Sequence, residues 1–423
     1  MKERFFTLFI FVFSFIILID LYSFKGLHLL MTNVNYSFVR YIFYSIYWLI
    51  PIIVISSLLY FISIQPFERE PIIFRNFFML VGFFILFYIP KLVFIVFHLT
   101  EDIIYLIKWL IAKLSSNTHV IESVSSTSIS RSRFISQLGL LLASIPFTSI
   151  LYGMAKGRFN FRIEHQNLFF NNLPKSFNKI KIVHISDIHI GSFLGHESQV
   201  IKAIELINAQ NPDLILFTGD LVNNFYEELK GWIPVLSKLS AKYGKFSILG
   251  NHDYGDYFVW ANIDEKKKNL DDLKKAHGEM GFTLILNDTE EISINGETIS
   301  LIGVENWGLP PFPQYGNLSS AMNKKANSPF KILLSHDPSH WDAEVIGKTD
   351  IDLTLSGHTH GMQFGIEIGN VKWSPVKYKY PRWAGLYEEK KQLLYVNRGF
   401  GYIGFPGRIG MAPEITVLEL NKA

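Results

Sequence analysis

Lys181-Ile182-Val183-His184-Ile185-Ser186-Asp187-Ile188-His189 is a run of mostly apolar, β-branched side chains that ends on an acid and an imidazole. Four blocks downstream repeat the pattern. Leu214-Ile215-Leu216-Phe217-Thr218 ends at Gly219-Asp220, and Phe246-Ser247-Ile248-Leu249 ends at Gly250-Asn251-His252-Asp253. Ile332-Leu333-Leu334-Ser335 ends at His336, and Ile351-Asp352-Leu353-Thr354-Leu355-Ser356 ends at Gly357-His358-Thr359-His360. Runs of this kind predict strands buried on both faces. Val200, Ala203, Ile204 and Ile207, between the first two blocks, have the spacing of a helix crossing over a sheet. Ligands bind open α/β sheets at the carboxyl ends of the strands. Five strand ends carrying His, Asp or Asn therefore predict one shared site.

These side chains offer hard oxygen and imidazole nitrogen donors, which suit divalent Mn, Fe, Zn or Co. Gathering several carboxylates and imidazoles in one pocket is costly unless cations neutralise them. Gly219, Gly250 and Gly357 are expected to let the backbone turn sharply where each donor must point inward. The chain contains no cysteine, which excludes disulfides, thiolate zinc sites and cysteine nucleophiles.

The 423 residues divide into two halves of different character. Residues 1–155 carry 11 basic and 7 acidic side chains, whereas residues 156–423 carry 29 and 30. The overall net charge is +3 and neither half has a basic stripe, so no dedicated nucleic-acid partner is expected. Apolar runs at 5–22, 41–64, 72–97 and 134–152 predict four membrane-spanning helices, with Pro90 and Lys91 interrupting the third. Ile103, Ile107, Leu110 and Leu114 recur at helical spacing, which suits a helix in the membrane interface or one packed on the spans. Ser115 to Ser130, rich in serine, reads as a flexible loop. The membrane half shows few ionisable groups of the kind that mark a transport pathway. Lysines and arginines of the short loops divide evenly between the two sides. Arg131-Ser132-Arg133 resembles a degraded twin-arginine export signal, which favours the globular half outside the cytoplasm of a bacterial inner membrane.

Asp187-x-His189, Gly219-Asp220, Gly250-Asn251-His252-Asp253, His336 and Gly357-His358-Thr359-His360, all intact and in order, resemble the blocks of the calcineurin-like metallophosphoesterase family. The ending at 407–420 is similar to its bacterial phosphodiesterase branch, and the anchored layout resembles transmembrane members. The resemblance implies an α/β fold for residues 156–423. Its form would be a four-layer α/β/β/α sandwich of two mixed sheets, preceded by the α-helical transmembrane region of 1–155. It implies one metal bound by Asp187, His189, Asp220 and His360, and a second bound by Asp220, Asn251, His336 and His358. With Mn, Fe or Zn in place, a hydroxide shared by the two ions would attack phosphorus. His252 would protonate the leaving oxygen or stabilise the transition state, with Asp253 holding its imidazolium form or, alternatively, capping a turn. Arg398 and Arg408 are candidates for gripping phosphate through a bidentate fork.

The expected activity is thus a metal-dependent phosphoesterase acting on a phosphorylated substrate. Anchoring favours a lipid-linked one, since a tethered site searches a surface. A lipid-linked nucleotide-sugar pyrophosphate is the specific alternative. A non-catalytic membrane sensor of a phospholigand or metal is the alternative from another class. His184 is expected to pack in the core, His196 and His340 to lie beside the site, and Trp307, Phe312 and Tyr315 to line a groove, rest on the membrane or pack as a loop.

Overall fold

The computed structural model describes residues 2–64, 68–114, 128–323, 328–369 and 371–423. Two compact units emerge, residues 1–65 with 79–152, and residues 66–78 with 153–423. Most of the serine-rich stretch lies outside the described residues, although Ser128 already opens a helix.

The first unit is built from four helices, α1 (Lys2–Met31), α2 (Ser37–Ser63), α3 (Pro71–Leu114) and α4 (Ser128–Ala155), and the opening turns of α3 and the end of α4 from Gly153 group with the other unit. All four are long and apolar enough to cross a bilayer. The third runs unbroken through Pro90 and onward over 103–114, so that segment continues a span. Leu18, Ile46 and Leu141 point outward, as lipid-facing side chains do, while Ile16, Val54 and Tyr88 form the interior. The interior also holds more charge than the sequence led us to expect. Asp20 is fully buried, ion-paired with Lys91 and accepting the Tyr88 hydroxyl at 2.7 Å. Composition counts a single Asp as an interruption; only packing reveals its partners.

In the second unit the strands are β1 (Arg162–Phe170), β2 (Ile180–Ile185), β3 (Leu214–Phe217), β4 (Lys245–Ser247), β5 (Phe282–Leu284), β6 (Asp288–Ile294) and β7 (Glu297–Gly303). There follow β8 (Lys331–Leu334), β9 (Leu353–Ser356), β10 (Ile366–Ile368), β11 (Val371–Trp373), β12 (Gly385–Glu389), β13 (Gln392–Val396) and β14 (Glu414–Lys422). One six-stranded sheet has the order β1-β14-β2-β3-β4-β5, the other β12-β13-β9-β8-β7-β6. Both are mixed. β2 to β5 run parallel while β14 opposes β2; β13, β9, β8 and β7 run parallel while β12 and β6 oppose their neighbours.

Alternation along each strand sets the layers. Ile182, Leu214 and Leu216 meet Leu301, Ile332, Leu353 and Leu355 between the sheets. Their neighbours Val183, Ile215 and Phe217 face the opposite way, against Val200, Ala203, Ile204 and Ile207 of α5 (Glu197–Asn208) and Leu273 of the long helix Ile263–Glu279. Ile302 and Leu333 likewise cover Leu318 and Trp341 on the far side of the second sheet. The result is helices, sheet, sheet, helices. It brings the carboxyl ends of β2, β3, β4, β8 and β9 to one edge.

Candidate metal centre

Each of the five strand ends delivers its side chains to one buried cluster. Asp187, His189, Asp220, Asn251, His336 and His360 are all buried, with His252 and His358 half-buried at its edge. Asp187, His189, Asp220, His358 and His360 have φ between 48° and 69°. Left-handed backbone costs non-glycine residues on the order of 1 kcal/mol each and persists where the surroundings over-determine it, as at functional sites. Gly219 has φ +92° and supplies a turn, as expected. Gly250 and Gly357 are needed for a different reason. A side chain there would fall on the carboxylates of Asp220 and Asp187.

Two groups of donors face each other. His189 Nε2 and His360 Nε2 are 3.1 Å apart, with His360 Nε2 3.2 Å from Asp187 and His189 Nε2 3.5 Å from Asp220. On the other side, Asn251 Oδ1 lies 3.1 Å from His336 Nε2 and 2.8 Å from His358 Nδ1. Asp220 Oδ2 stands 3.2 Å from His336 Nε2, so Asp220 reaches both groups. Asp187 with His189 and His360, and Asp187 with Asp220 and His336, are each close enough to hold a metal ion.

The surroundings fix which ring atoms face inward. Carbonyls only accept, so Val222 O at 3.2 Å and Thr218 O at 2.7 Å take the Nδ1 protons of His189 and His336 and turn each Nε2 toward the cluster. Asn251 donates its amide to the Tyr257 hydroxyl at 2.8 Å, which turns its oxygen inward. His358 uses Nε2 on the Tyr380 hydroxyl at 2.8 Å and presents Nδ1. Tyr257 and Tyr380 escaped the sequence reading because hydroxyl partners of donors follow no spacing rule.

Charge states suit cation binding. Burial works to raise Asp187 and Asp220, yet His360 and His336 respectively hold the two carboxyls well below the usual range. Burial keeps His189 and His358 neutral, His358 lowered to about 4. Burial also acts against a charge on His336, but Asp220 and Asp187 push it up to about 10. Anionic Asp187 and Asp220 facing the neutral imidazoles of His189 and His358 are a donor set that divalent metals favour, and a metal ion at His336 would take the place of its Nε2 proton.

His252 donates its main-chain N–H to Asp220 Oδ1 at 2.9 Å and its Nδ1–H to the Asn223 carbonyl at 2.7 Å. Asp253 is not its partner. That carboxylate accepts four main-chain N–H groups, from Gly250 and Asp220 at 2.9 Å and from Leu221 and Val222 at 2.8 and 3.3 Å, and so braces the two ligand-bearing loops. Arg398 and Arg408 are buried with their donors already engaged. Arg398 is ion-paired with Glu414, with Glu367 at 3.0 Å and with Glu164 at 2.8 Å. Arg408 donates to the carbonyls of Gly401 and, at 2.9 Å, Arg398, and its Nη2 lies 3.3 Å from His360 Nδ1. His184 packs in the core against Thr218 Oγ1 at 2.9 Å. His196 meets Arg158, and His340 meets Ser335, the neighbour of His336. Of the three loop aromatics, Phe312 sits edge-on to His358 at 5.0 Å, whereas Trp307 stacks on His340 and Tyr315 on Tyr254.

Residues 180–362 match the family model described as calcineurin-like phosphoesterase, and residues 3–158 match one described as probable calcineurin-like phosphoesterase, transmembrane domain. The uncharacterised metallophosphoesterase YkuE of Bacillus subtilis (strain 168) is 34% identical over 257 residues, covering 59% of this chain and 82% of that protein. Phosphodiesterase YaeI of Escherichia coli (strain K12) is 30% identical over 297 residues, 69% of this chain and 99% of its own. A transmembrane protein with metallophosphoesterase domain from Danio rerio is 29% identical over 258 residues, 59% of this chain and 55% of the relative's length.

Proposed function

Since the chain belongs to the calcineurin-like phosphoesterase family, whose members hydrolyse ester bonds, we propose that its cluster holds two divalent metal ions and hydrolyses a phosphoester or phosphodiester. Asp187, His189, Asp220 and His360 take one ion, and Asp220, Asn251, His336 and His358 the other, with Asp220 shared. Such ions, when bound, make water nucleophilic near neutral pH and neutralise charge on the phosphoryl oxygens.

The chain's own residues do the rest. The carbonyls of Val222 and Thr218 hold His189 and His336 in the tautomer that presents Nε2. Asn251 supplies a neutral oxygen where two carboxylates already concentrate negative charge. His252, fixed through Nδ1 by Asn223, keeps Nε2 free, and in its imidazolium form would pass the Nε2 proton to the leaving oxygen. Asp253 positions the loops beneath and touches no reacting atom. The observation that carries this reading is the meeting of seven donors from five separate strand ends.

In this reading residues 1–155 anchor residues 156–423 in a bacterial inner membrane, on its outer face, beside a lipid-linked phosphorylated substrate. Two experiments test it. Purified full-length protein should hydrolyse an aryl phosphodiester with added Mn, and Asp220→Ala should abolish that; no Mn-dependent turnover would defeat the enzyme reading. A compartment-dependent reporter after Ala423 should be active outside the cytoplasm. The opposite result would favour a lipid-linked nucleotide-sugar pyrophosphate as substrate.

A further inference from the structure

The hairpin β10–β11 belongs to neither large sheet. Its register sets Ile366 opposite Trp373, Ile368 opposite Val371 and Glu367 opposite Lys372. Side chains alternate along a strand, so the four apolar residues share one face and the charged pair the other. The charged face is the anchored one. Glu367 binds Arg398 at 3.0 Å, Arg162 at 2.9 Å and Lys372 at 3.2 Å. The apolar face is left outward, with Ile366, Ile368 and Val371 exposed by 48%, 73% and 66%. Met362 and Phe364, on the way into the hairpin, are exposed as well. A sheet with one wet face normally hides its apolar side, and a contiguous outward patch of this kind marks an interaction surface.

The position of the hairpin identifies the partner. Phe364 pairs with Ile409, Gly365 donates to the Ile409 carbonyl at 2.9 Å, and Arg408 donates to the Gly153 carbonyl at 3.2 Å. Gly153 begins the part of α4 that groups with the second unit, at the end of one of the apolar helices long enough to cross a membrane. A side chain at Gly153 would run into Ile409, so glycine there lets the hairpin's base lie directly against the helix end. Beyond the hairpin, Lys377, Tyr378 and Lys379 are exposed, a combination of cations and an amphipathic ring suited to anionic headgroups. Met362 also follows the cluster residue His360 by only two positions.

We infer that residues 362–369 and 371–373 dip into the bilayer interface beside the end of α4 and hold the mouth of the metal centre at the lipid surface. An amphipathic element that buries one apolar face among headgroups needs no protein partner. The consequence for substrate rests on the phosphoesterase reading: a phosphoester on a membrane lipid reaches the centre without leaving the bilayer.

The absence of native cysteine makes the test direct. In the full chain, reconstituted into nanodiscs containing phosphatidylglycerol, Ile368→Cys carries one polarity-sensitive fluorophore, and Lys391→Cys, exposed in the turn before β13, carries the control. The label at 368 should emit at shorter wavelength and lose most of its intensity to brominated lipids, while the label at 391 should do neither. A 368 label that behaves like the control overturns the inference. So does one that is blue-shifted yet indifferent to brominated lipid, since a second copy or another protein then covers the face. The double variant Ile368→Asp/Val371→Asp should slow hydrolysis of a bilayer-borne phosphoester and leave a soluble aryl phosphodiester unaffected; equal loss on both would refute the positioning role. Failure of the unmodified protein to hydrolyse either substrate would sink the phosphoesterase reading and leave the quenching result intact.

Discussion

Replacing His252 with alanine separates proton delivery from metal binding. The variant keeps the main-chain N–H that reaches Asp220 Oδ1 at 2.9 Å, and loses only the ring held by the Asn223 carbonyl at 2.7 Å. No atom assigned to either metal is removed, so metal content should not change. A positioned acid is worth about 10²–10⁴-fold, or roughly 3–5 kcal/mol of barrier, provided the leaving oxygen needs a proton. An alkoxide does, and a nitrophenolate does not. The expected result is a drop in kcat/KM within that range for an alkyl phosphodiester, against a loss smaller than about 10-fold for the nitrophenyl compound. Parallel measurement of both substrates at saturating Mn is the assay. Equal losses would show that the ring orients substrate or supports the cluster, and no loss with the alkyl ester would refute its role outright.

Asp253→Asn should lower the denaturation midpoint, because an amide offers one acceptor where four N–H groups now find two oxygens, at about 1–3 kcal/mol for each buried group left unpaired. Activity should fall with it while the shape of the pH–rate profile stays the same; an intact midpoint with a shifted profile would instead tie Asp253 to His252. Arg398→Ala leaves the buried Glu414 without its cation, while Glu367 and Glu164 keep Arg162, and should cost about 3–5 kcal/mol of stability, with KM for a small phosphoester unchanged. A higher KM at unaltered stability would return Arg398 to phosphate binding. Burial holds His277 neutral, its pKa lowered to about 4, whereas an unfolded imidazole titrates near 6.5. Between those values only the unfolded chain takes up the proton. His277's contribution is therefore complete above about pH 6.5 and falls by on the order of 3 kcal/mol as pH drops to about 4. His277→Phe should flatten that part of the pH–stability curve from chemical denaturation, and an unchanged slope would contradict this.

How much of this was legible in the sequence depends on whether the controlling interaction is local. Strand runs and their terminal residues are local, so Asp187, Asp220, Asn251, His336, His358 and His360 could be placed at strand ends before any coordinates, and the helical spacing of Val200, Ala203, Ile204 and Ile207 matches their burial. What went unseen depends on partners distant in the chain. Asp253 stands beside His252 in sequence, yet its oxygens point at the Asp220 loop, 33 residues away. Arg398 and Arg408 looked available for phosphate because nothing nearby announces Glu164 or Gly401 as acceptors. Asp20 and Lys91 interrupt two apolar runs 71 residues apart and only in three dimensions become a pair. The outward face of β10–β11 was equally hidden, since which side of Ile366, Ile368 and Val371 is anchored depends on Arg162 and Arg398, far away in the chain.

The central claim is that two cations sit in this cluster and share Asp220. Anomalous diffraction from crystals of the full chain grown with Mn tests it most directly. Two peaks about 3.5–4 Å apart are predicted, one among Asp187, His189 and His360 and the other among Asn251, His336 and His358. A single peak, a pair in which Asp220 touches only one ion, or peaks elsewhere would contradict the account.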